Sequence, residues 1–335
     1  MLSSLGFDVR FTPESRHVRC NYRRSLWAKS GHVSGHCTEL TLKRNRQLLG
    51  SSLSVRPLED GMDIPKQSRA DRYESYYREF DSPLMQKIRR ETFGEDIGLH
   101  DWGSAQEMRA DVARLNVSSS SRIVDLGCGP CGPLTFILST VGCRGTGIEL
   151  SPSALRAGQA RARSLGVESL LSVQEGDLNE SLPFAARSFD AAVSIDVVIH
   201  LRDRAKFFRD VANILHPGGR FLFTDAGVVT GAVSNEDVRK RSPRGYTQFV
   251  PPGWNERLLK SAGLRVLETE DRTQSVLRYA TQRLAAMQKY RAELERVSEA
   301  FDFELEQAYL NTAAELSRGQ TVCRIMYLAQ TDAAT

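Results

Sequence analysis

Past position 121 the chain alternates two patterns. Short runs rich in Val, Ile, Leu and Phe occur at 122–126, 145–149, 171–174, 191–195, 220–224, 264–268 and 322–328, and the stretches between them carry apolar residues at three- and four-residue steps. Short apolar runs suit strands buried on both faces, and the wider spacing suits amphipathic helices, so the alternation predicts a doubly wound α/β sheet. Local punctuation agrees. Ser151-Pro152 is an N-cap with proline at the first helical position, and Gly166 stops that helix; a second helix over 203–215 is ended by Pro217-Gly218-Gly219. Upstream, Tyr73, Tyr76, Tyr77 and Phe80 share a helical face, and Ser104 with Glu107 forms an S-x-x-E capping box. Two segments exceed what crossovers require. Residues 226–252 follow the fifth strand, and 273–318 separate the last two strands with Val276, Ala280, Leu284, Met287, Leu294 and Val297 at helical spacing. Insertions of this length usually cover a site. The alternative is a helical pair that stabilises an edge or makes a dimer.

Composition narrows the class without changing this picture. With 335 residues, 41% hydrophobic and 26% charged, the chain is long enough for a large core and is not collagen-like, wholly disordered or membrane-embedded. Its longest uncharged run, Leu126 to Cys143, holds four glycines and two prolines and so is no spanning helix. The formal charge of +4 divides unevenly: residues 1–61 hold 10 Lys/Arg against 5 Asp/Glu, leaving a near-neutral body. Nucleic-acid binding requires basic charge on the folded face, so a small-molecule substrate is expected, with no nucleic acid and no membrane as partner. Residues 1–61 lack any period, are rich in Ser, Arg and Gly, and are expected to be disordered and dispensable. The six cysteines are sparse, which points to free thiols in a reducing, cytoplasmic setting. No metal site is expected; His32, His36 and Cys37 read as surface residues.

The sharpest chemical feature is Asp125-Leu126-Gly127-Cys128-Gly129-Pro130-Cys131-Gly132, between a strand and a helix. Glycines there let a nucleotide-like ligand approach the backbone at the sheet's carboxyl edge. The spacing also satisfies the dinucleotide fingerprint, with Glu149 at the end of the second strand, so NAD competes. Charge separates the two. A pyrophosphate would meet the Asp125 carboxylate, whereas a ligand carrying an ammonium and a sulfonium, S-adenosyl-L-methionine, would be attracted by it. Asp177, after the third strand, is suited to accept a hydrogen bond from an adenine amino group. Cys128 and Cys131 spell C-x-x-C but are expected to be neither redox nor zinc residues.

These residues, with Ser188-Phe189-Asp190-Ala191-Ala192-Val193 and Leu215-His216-Pro217-Gly218-Gly219, resemble the class I S-adenosylmethionine-dependent methyltransferases over roughly 104–270 and again at the last strand. The resemblance implies a Rossmann-like seven-stranded sheet whose last strand is antiparallel, and cofactor contacts from Asp125, Gly127, Gly129, Glu149 and Asp177. The implied layout is a basic segment at 1–61, N-terminal helices closing over the cofactor at 62–115, a methyltransferase core at 116–270, a helical substrate lid at 271–320, and the last strand and tail at 321–335. The chain is expected to act as a monomer or homodimer.

Methyl transfer from a sulfonium needs an aligned nucleophile and a group to take its proton. After the fourth strand, Asp196 and His200 lie four residues apart. Asp196 is suited to hold an ammonium, and His200 to act as base near neutral pH; alternatively His200 only shapes the pocket. A closer pattern is similar to the phosphoethanolamine and sarcosine/dimethylglycine N-methyltransferases, carried by Asp196, His200, Arg244-Gly245-Tyr246-Thr247 and Ala262-Gly263-Leu264. It implies that Arg244 and Tyr246 bind the substrate's anionic end. The chain departs from the phosphobase enzymes at Ala226, where they place tyrosine, and in lacking a lysine over 311–320. The leading expectation is therefore a small-molecule methyltransferase preferring an amine nitrogen. Alternatives are O- or C-methylation of a secondary metabolite, and more remotely an RNA methyltransferase or a nonenzymatic cofactor-binding regulator.

Overall fold

The computed structural model describes residues 69–243, 245–297 and 302–333. The expectations for residues 1–61, including His32, His36 and Cys37, lie outside the described residues. Three helices lead in: α1 (Arg69–Tyr77), α2 (Pro83–Phe93) and α3 (Ala105–Leu115). Strands and helices then alternate as β1 (Arg122–Leu126), α4 (Gly132–Val141), β2 (Arg144–Glu149), α5 (Pro152–Ser164), β3 (Leu171–Glu175), β4 (Phe189–Ser194), α6 (Arg204–Ile214) and β5 (Leu215–Val229). After β5 come α7 (Asn235–Lys240), α8 (Trp254–Ser261), β6 (Leu264–Asp271), α9 (Thr273–Lys289), α10 (Arg291–Val297), α11 (Phe303–Arg318) and β7 (Val322–Thr331).

The seven strands form one sheet in the order β3-β2-β1-β4-β5-β7-β6. β1 pairs in parallel with β2 and β4, and β7 runs antiparallel to both β5 and β6. This is a Rossmann-like seven-stranded sheet, with the antiparallel last strand that the resemblance implied. Its core lies on both faces. Leu134, Ile137 and Leu138 of α4 and Met108 of α3 pack on one, while Phe207, Phe208 and Val211 of α6 pack on the other. A separate cluster joins α2, α9 and α11 through Ile88, Val276, Ala280, Met287, Leu310 and Ala313. The apolar stripe over 273–318 therefore seals its helices against α2, although Val297 at its end stays exposed.

Two local readings change. The run Pro217-Gly218-Gly219 lies inside β5, whose pairing with β4 shifts register between Phe189 and Ala191; Ile214 is the last helical residue. Ser104 caps α3 by accepting from the Glu107 amide at 3.1 Å, but the Glu107 carboxylate does not reciprocate. It is drawn away to Arg324 at 2.8 Å and to the Ser275 hydroxyl. A buried guanidinium outcompetes a backbone amide for the same carboxylate.

Candidate active site

Strand order reverses between β1 and β4, and in open α/β sheets ligands bind at the carboxyl edge of such a switch point. A cleft opens there, floored by Asp125, Gly127 and Gly129 and walled by Glu149, Asp196 and His200. Helix α1 contributes Tyr73, Tyr76 and Tyr77, the segment after α2 contributes His100, Asp101 and Trp102, and the helices before β7 contribute Arg283 and Tyr309. The insertion before β7 therefore bears on the cleft, whereas no described residue of 226–252 lines it.

Glycine is required at two points of the loop for different reasons. Gly127 adopts φ +83°, and a Cβ there would lie 2.7 Å from Val197. At Gly132 the constraint is close approach: a Cβ would stand 2.3 Å from the carbonyl oxygen of Gly98, so the segment after α2 rests directly on the glycine loop. Glu149 faces this loop, its two carboxylate oxygens accepting from the Gly129 amide at 3.1 Å and the Ser151 amide at 3.0 Å. Asp125 is buried, and its Oδ2 is sealed from solvent with no hydrogen-bond partner. Burial, and next the nearby charges of Asp101 and Glu149, hold its pKa well above the usual carboxylate range. Asp177 accepts from the Asn179 amide and side chain at 2.9 Å, and its neighbours Gly176 and Leu178 rather than its own side chain line the cleft. Cys128 and Cys131 are buried free thiols within the loop.

On the acceptor side, His200 closes a short helical turn after β4. Its Nδ1 lies 3.3 Å from the Tyr246 carbonyl oxygen, which can only accept, so Nδ1 carries the proton and Nε2 is left as the basic nitrogen. The Tyr73 ring meets the imidazole edge-on at 6.2 Å. Tyr246 thus bears on the site through its backbone: its side chain is 42% exposed and does not line the cleft. Arg244, the other residue assigned to the substrate's far end, lies outside the described residues.

Asp196 lines the cleft but is already engaged. Arg324 Nε contacts its two oxygens at 2.9 and 3.0 Å, and the Thr224 hydroxyl donates to it at 2.8 Å. The carboxylate assigned from sequence to an ammonium thus has this guanidinium as its partner in the structure. Arg324 begins a ribbon of alternating charge: it also pairs with Glu107, which approaches Arg272 at 3.7 Å. Arg272 grips Asp111 at 2.6 Å, Asp111 meets Arg114 at 3.4 Å, and Arg114 reaches Glu268 at 2.7 Å on β6. Arg324, Arg272 and Asp111 are buried, whereas Glu268 is exposed.

Sequence reasoning missed Asp101. It stands in the cleft with Oδ1 accepting from the Gly103 amide at 2.7 Å. Burial, followed by the neighbouring Asp196 charge, pushes its pKa up to about 7, with Arg324 and the Gly103 amide opposing. Because this is above the unfolded value of about 4, the unfolded chain loses its proton first. The stability from this group is full below that value and declines as pH rises towards 7. The melting temperature of Asp101→Asn, measured relative to wild type, should therefore rise between pH 5 and pH 8. A constant difference across that range would place the Asp101 carboxyl in an ordinary environment.

Residues 124–223 match the family of methyltransferase domains. The matched stretch runs from β1 into β5 and so holds the glycine loop, Glu149, Asp196 and His200, while Asp101, Arg283 and Arg324 come from outside it. A glycine/sarcosine/dimethylglycine N-methyltransferase of Actinopolyspora halophila is 30% identical over 177 residues, 53% of this chain and 31% of that protein. An O-methyltransferase of Aspergillus sclerotiorum is 32% identical over 178 residues, 50% and 64% respectively. The matched stretches therefore span from 31% to 64% of the length of these curated relatives. Phosphoethanolamine N-methyltransferase 2 of Haemonchus contortus, solved with S-adenosyl-L-methionine, superimposes with a TM-score of 0.64 over 76% of this chain and 60% of that one. At 20% identity this is likeness of fold. No helix among the described residues is long and apolar enough to cross a membrane.

Proposed function

We propose that the protein is an S-adenosylmethionine-dependent methyltransferase acting on a small molecule, with an amine nitrogen as the preferred acceptor. The observation that carries this reading is the orphaned, buried Oδ2 of Asp125 at the floor of a cleft that also holds Asp101, Glu149 and Asp196. Carboxyl groups crowded round one cleft disfavour a pyrophosphate, and a ligand bearing cationic groups and hydroxyl donors would favour the ionised form of Asp125 that burial opposes. Adenosylmethionine fits that demand and supplies, when bound, a methyl group on a cationic sulfur. The residues to hold it are Asp125 and the glycines 127 and 129 beneath it, Glu149 for ribose hydroxyls, and the segment at Asp177 for the adenine.

The chain's own contribution is positioning and proton removal. His200 Nε2 and the carboxyl of Asp101 stand in the cleft as groups able to take an ammonium proton near neutral pH. Asp196, fixed by Arg324, shapes the wall. The names of relatives support nitrogen as acceptor, and the O-methyltransferase relative supports oxygen as the second reading, in which the same base would deprotonate a hydroxyl. The free thiols Cys128, Cys131, Cys143 and Cys323 support a cytoplasmic setting, with the chain acting as monomer or homodimer.

Calorimetry with adenosylmethionine and adenosylhomocysteine tests the cofactor. Binding is expected, and Glu149→Ala should weaken it by about 1.5–3 kcal/mol, the value of hydrogen bonds to a charged group. Tight NADH binding with no adenosylhomocysteine signal would overturn the assignment.

A further inference from the structure

Asp101 and Asp196 are neighbours in the cleft, because the Trp102 amide next along from Asp101 donates to Asp196 Oδ2 at 3.4 Å. Their partners differ in kind. Among the described residues, every hydrogen bond to the Asp196 side chain comes from a donor: Arg324 Nε to both oxygens, the Trp102 amide to Oδ2 and the Thr224 hydroxyl to Oδ1. That hydroxyl accepts from the Asp196 amide at 2.9 Å, which leaves its own proton for the carboxylate. A carboxyl ringed by donors has nowhere to place a proton and is held ionised. The same contacts sustain a left-handed backbone at Asp196, φ +55°, a conformation a side chain adopts at some cost.

Asp101 has a single donor among the described residues, the Gly103 amide on Oδ1. It faces Asp196 after β4, Asp125 at the end of β1, Glu107 of α3, the Tyr77 hydroxyl of α1 and the Arg324 guanidinium of β7. Arg283 of α9 also lines the cleft, but its guanidinium sits 3.1 Å from His100 Nε2 and 3.3 Å from Glu306. Arg324 is close to both aspartates. A Cβ on Gly103 would stand 3.1 Å from Asp101 Oδ1 and 3.6 Å from Arg324 Nη2, so the two groups pack against one glycine. The guanidinium nonetheless gives its donors elsewhere: to Asp196, to Glu107 at 2.8 Å and to Thr224 at 3.4 Å. Two carboxyls this near resist ionising together, and a cation bonded to one of them decides which loses its proton first.

We propose that Arg324 is a positioning residue for the acid–base step: by fixing Asp196 as the ionised member of the pair, it makes Asp101 the member that takes and releases a proton at neutral pH. This rests on the methyltransferase reading. The N–H bond of a bound ammonium breaks, its proton goes to an Asp101 oxygen, and its electron pair stays on nitrogen for the transfer. Asp196 keeps its charge throughout.

Carbon-13 titration of the aspartate carboxyls, with Asp101→Asn and Asp196→Asn to assign the two signals, tests this division without any ligand. In the wild-type protein Asp101 should titrate at about 7, and Asp196 should stay ionised across that range. Arg324→Met should raise the Asp101 midpoint by about one unit or more, the low end of the shift a nearby opposite charge produces. Arg324→Lys should restore most of the wild-type value, and so should Asp196→Asn/Arg324→Met, which removes one charge of each sign. An arginine with a structural role alone would lower stability in these variants and leave the midpoint in place. If Arg324→Met does not fold, the wild-type titration and the charge-balanced double variant carry the test. With an acceptor in hand, the rise of the single-turnover rate with pH should move in the same order, because the base must be ionised to act. The proposal is overturned if Asp196 is the carboxyl that titrates near neutrality, if Arg324→Met leaves the Asp101 midpoint unchanged, or if the rate profile stays put while the carboxyl moves. Failure of adenosylhomocysteine to bind would instead remove the methyltransferase reading, which the titrations do not depend on.

Discussion

Replacing His200 by alanine is expected to slow the single-turnover chemical step about a hundredfold or more, the usual contribution of a positioned general base, with adenosylhomocysteine affinity unchanged. The expectation rests on tautomer and place. The Tyr246 carbonyl fixes the proton on Nδ1, the Tyr73 ring flanks the imidazole, and the turn after β4 sets it at the mouth of the switch point. Rapid-quench turnover with an acceptor found by screening amines, amino acids and phenols reads the effect directly. An unimpaired variant would reduce His200 to scaffold and leave Asp101 as the proton acceptor. The pH profile of Asp101→Asn would then decide.

Asp225→Ala should cost about 3–5 kcal/mol of stability, the range for removing one partner of a buried ion pair. Asp225 is fully buried in β5 and accepts from Arg204, from the Asn255 amide at 2.8 Å and from the Gly227 backbone at 2.9 Å. Truncation strands the Arg204 cation in the core. Urea denaturation should show a lower midpoint with an unchanged slope, and replacing both partners by apolar residues should be better tolerated than either single change. A loss well below about 1 kcal/mol would show the cation reaching water without penalty. The same arginine donates to the Gln248 carbonyl at 2.6 Å, so this core pair also steadies the segment whose Tyr246 carbonyl orients His200.

Most of the sheet is legible from local chemistry because its strands are short apolar runs and its helices carry their own caps. Ser151-Pro152 and Asp203 start α5 and α6 where the residue types require, each accepting a backbone amide. The glycine loop, Asp125 and Glu149 are legible for the same reason, since loop and acids occupy successive strand ends. What sequence spacing does not carry is pairing over distance. Arg324 meets Asp196 across 128 positions, and nothing local at either residue reports it. Asp101, in His100-Asp101-Trp102-Gly103, has no periodic partner, and its raised pKa arises only when folding buries it beside Asp196. Pro217-Gly218-Gly219 misled in the opposite sense, because turn-forming residues are accommodated in β5 by a register shift.

The ribbon of charge from Asp196 to Glu268 has a bearing on how the site responds to its surroundings. Mobile ions screen exposed charges over about 8 Å at physiological ionic strength and penetrate buried pairs poorly. Its outer member, Glu268, is 42% exposed, whereas Arg272, Asp111 and Arg324 within it are shielded by protein. Salt therefore acts on the ribbon at the edge strand and fades before the cleft, so the electrostatic setting of Asp196 is insulated from changes in the ionic medium.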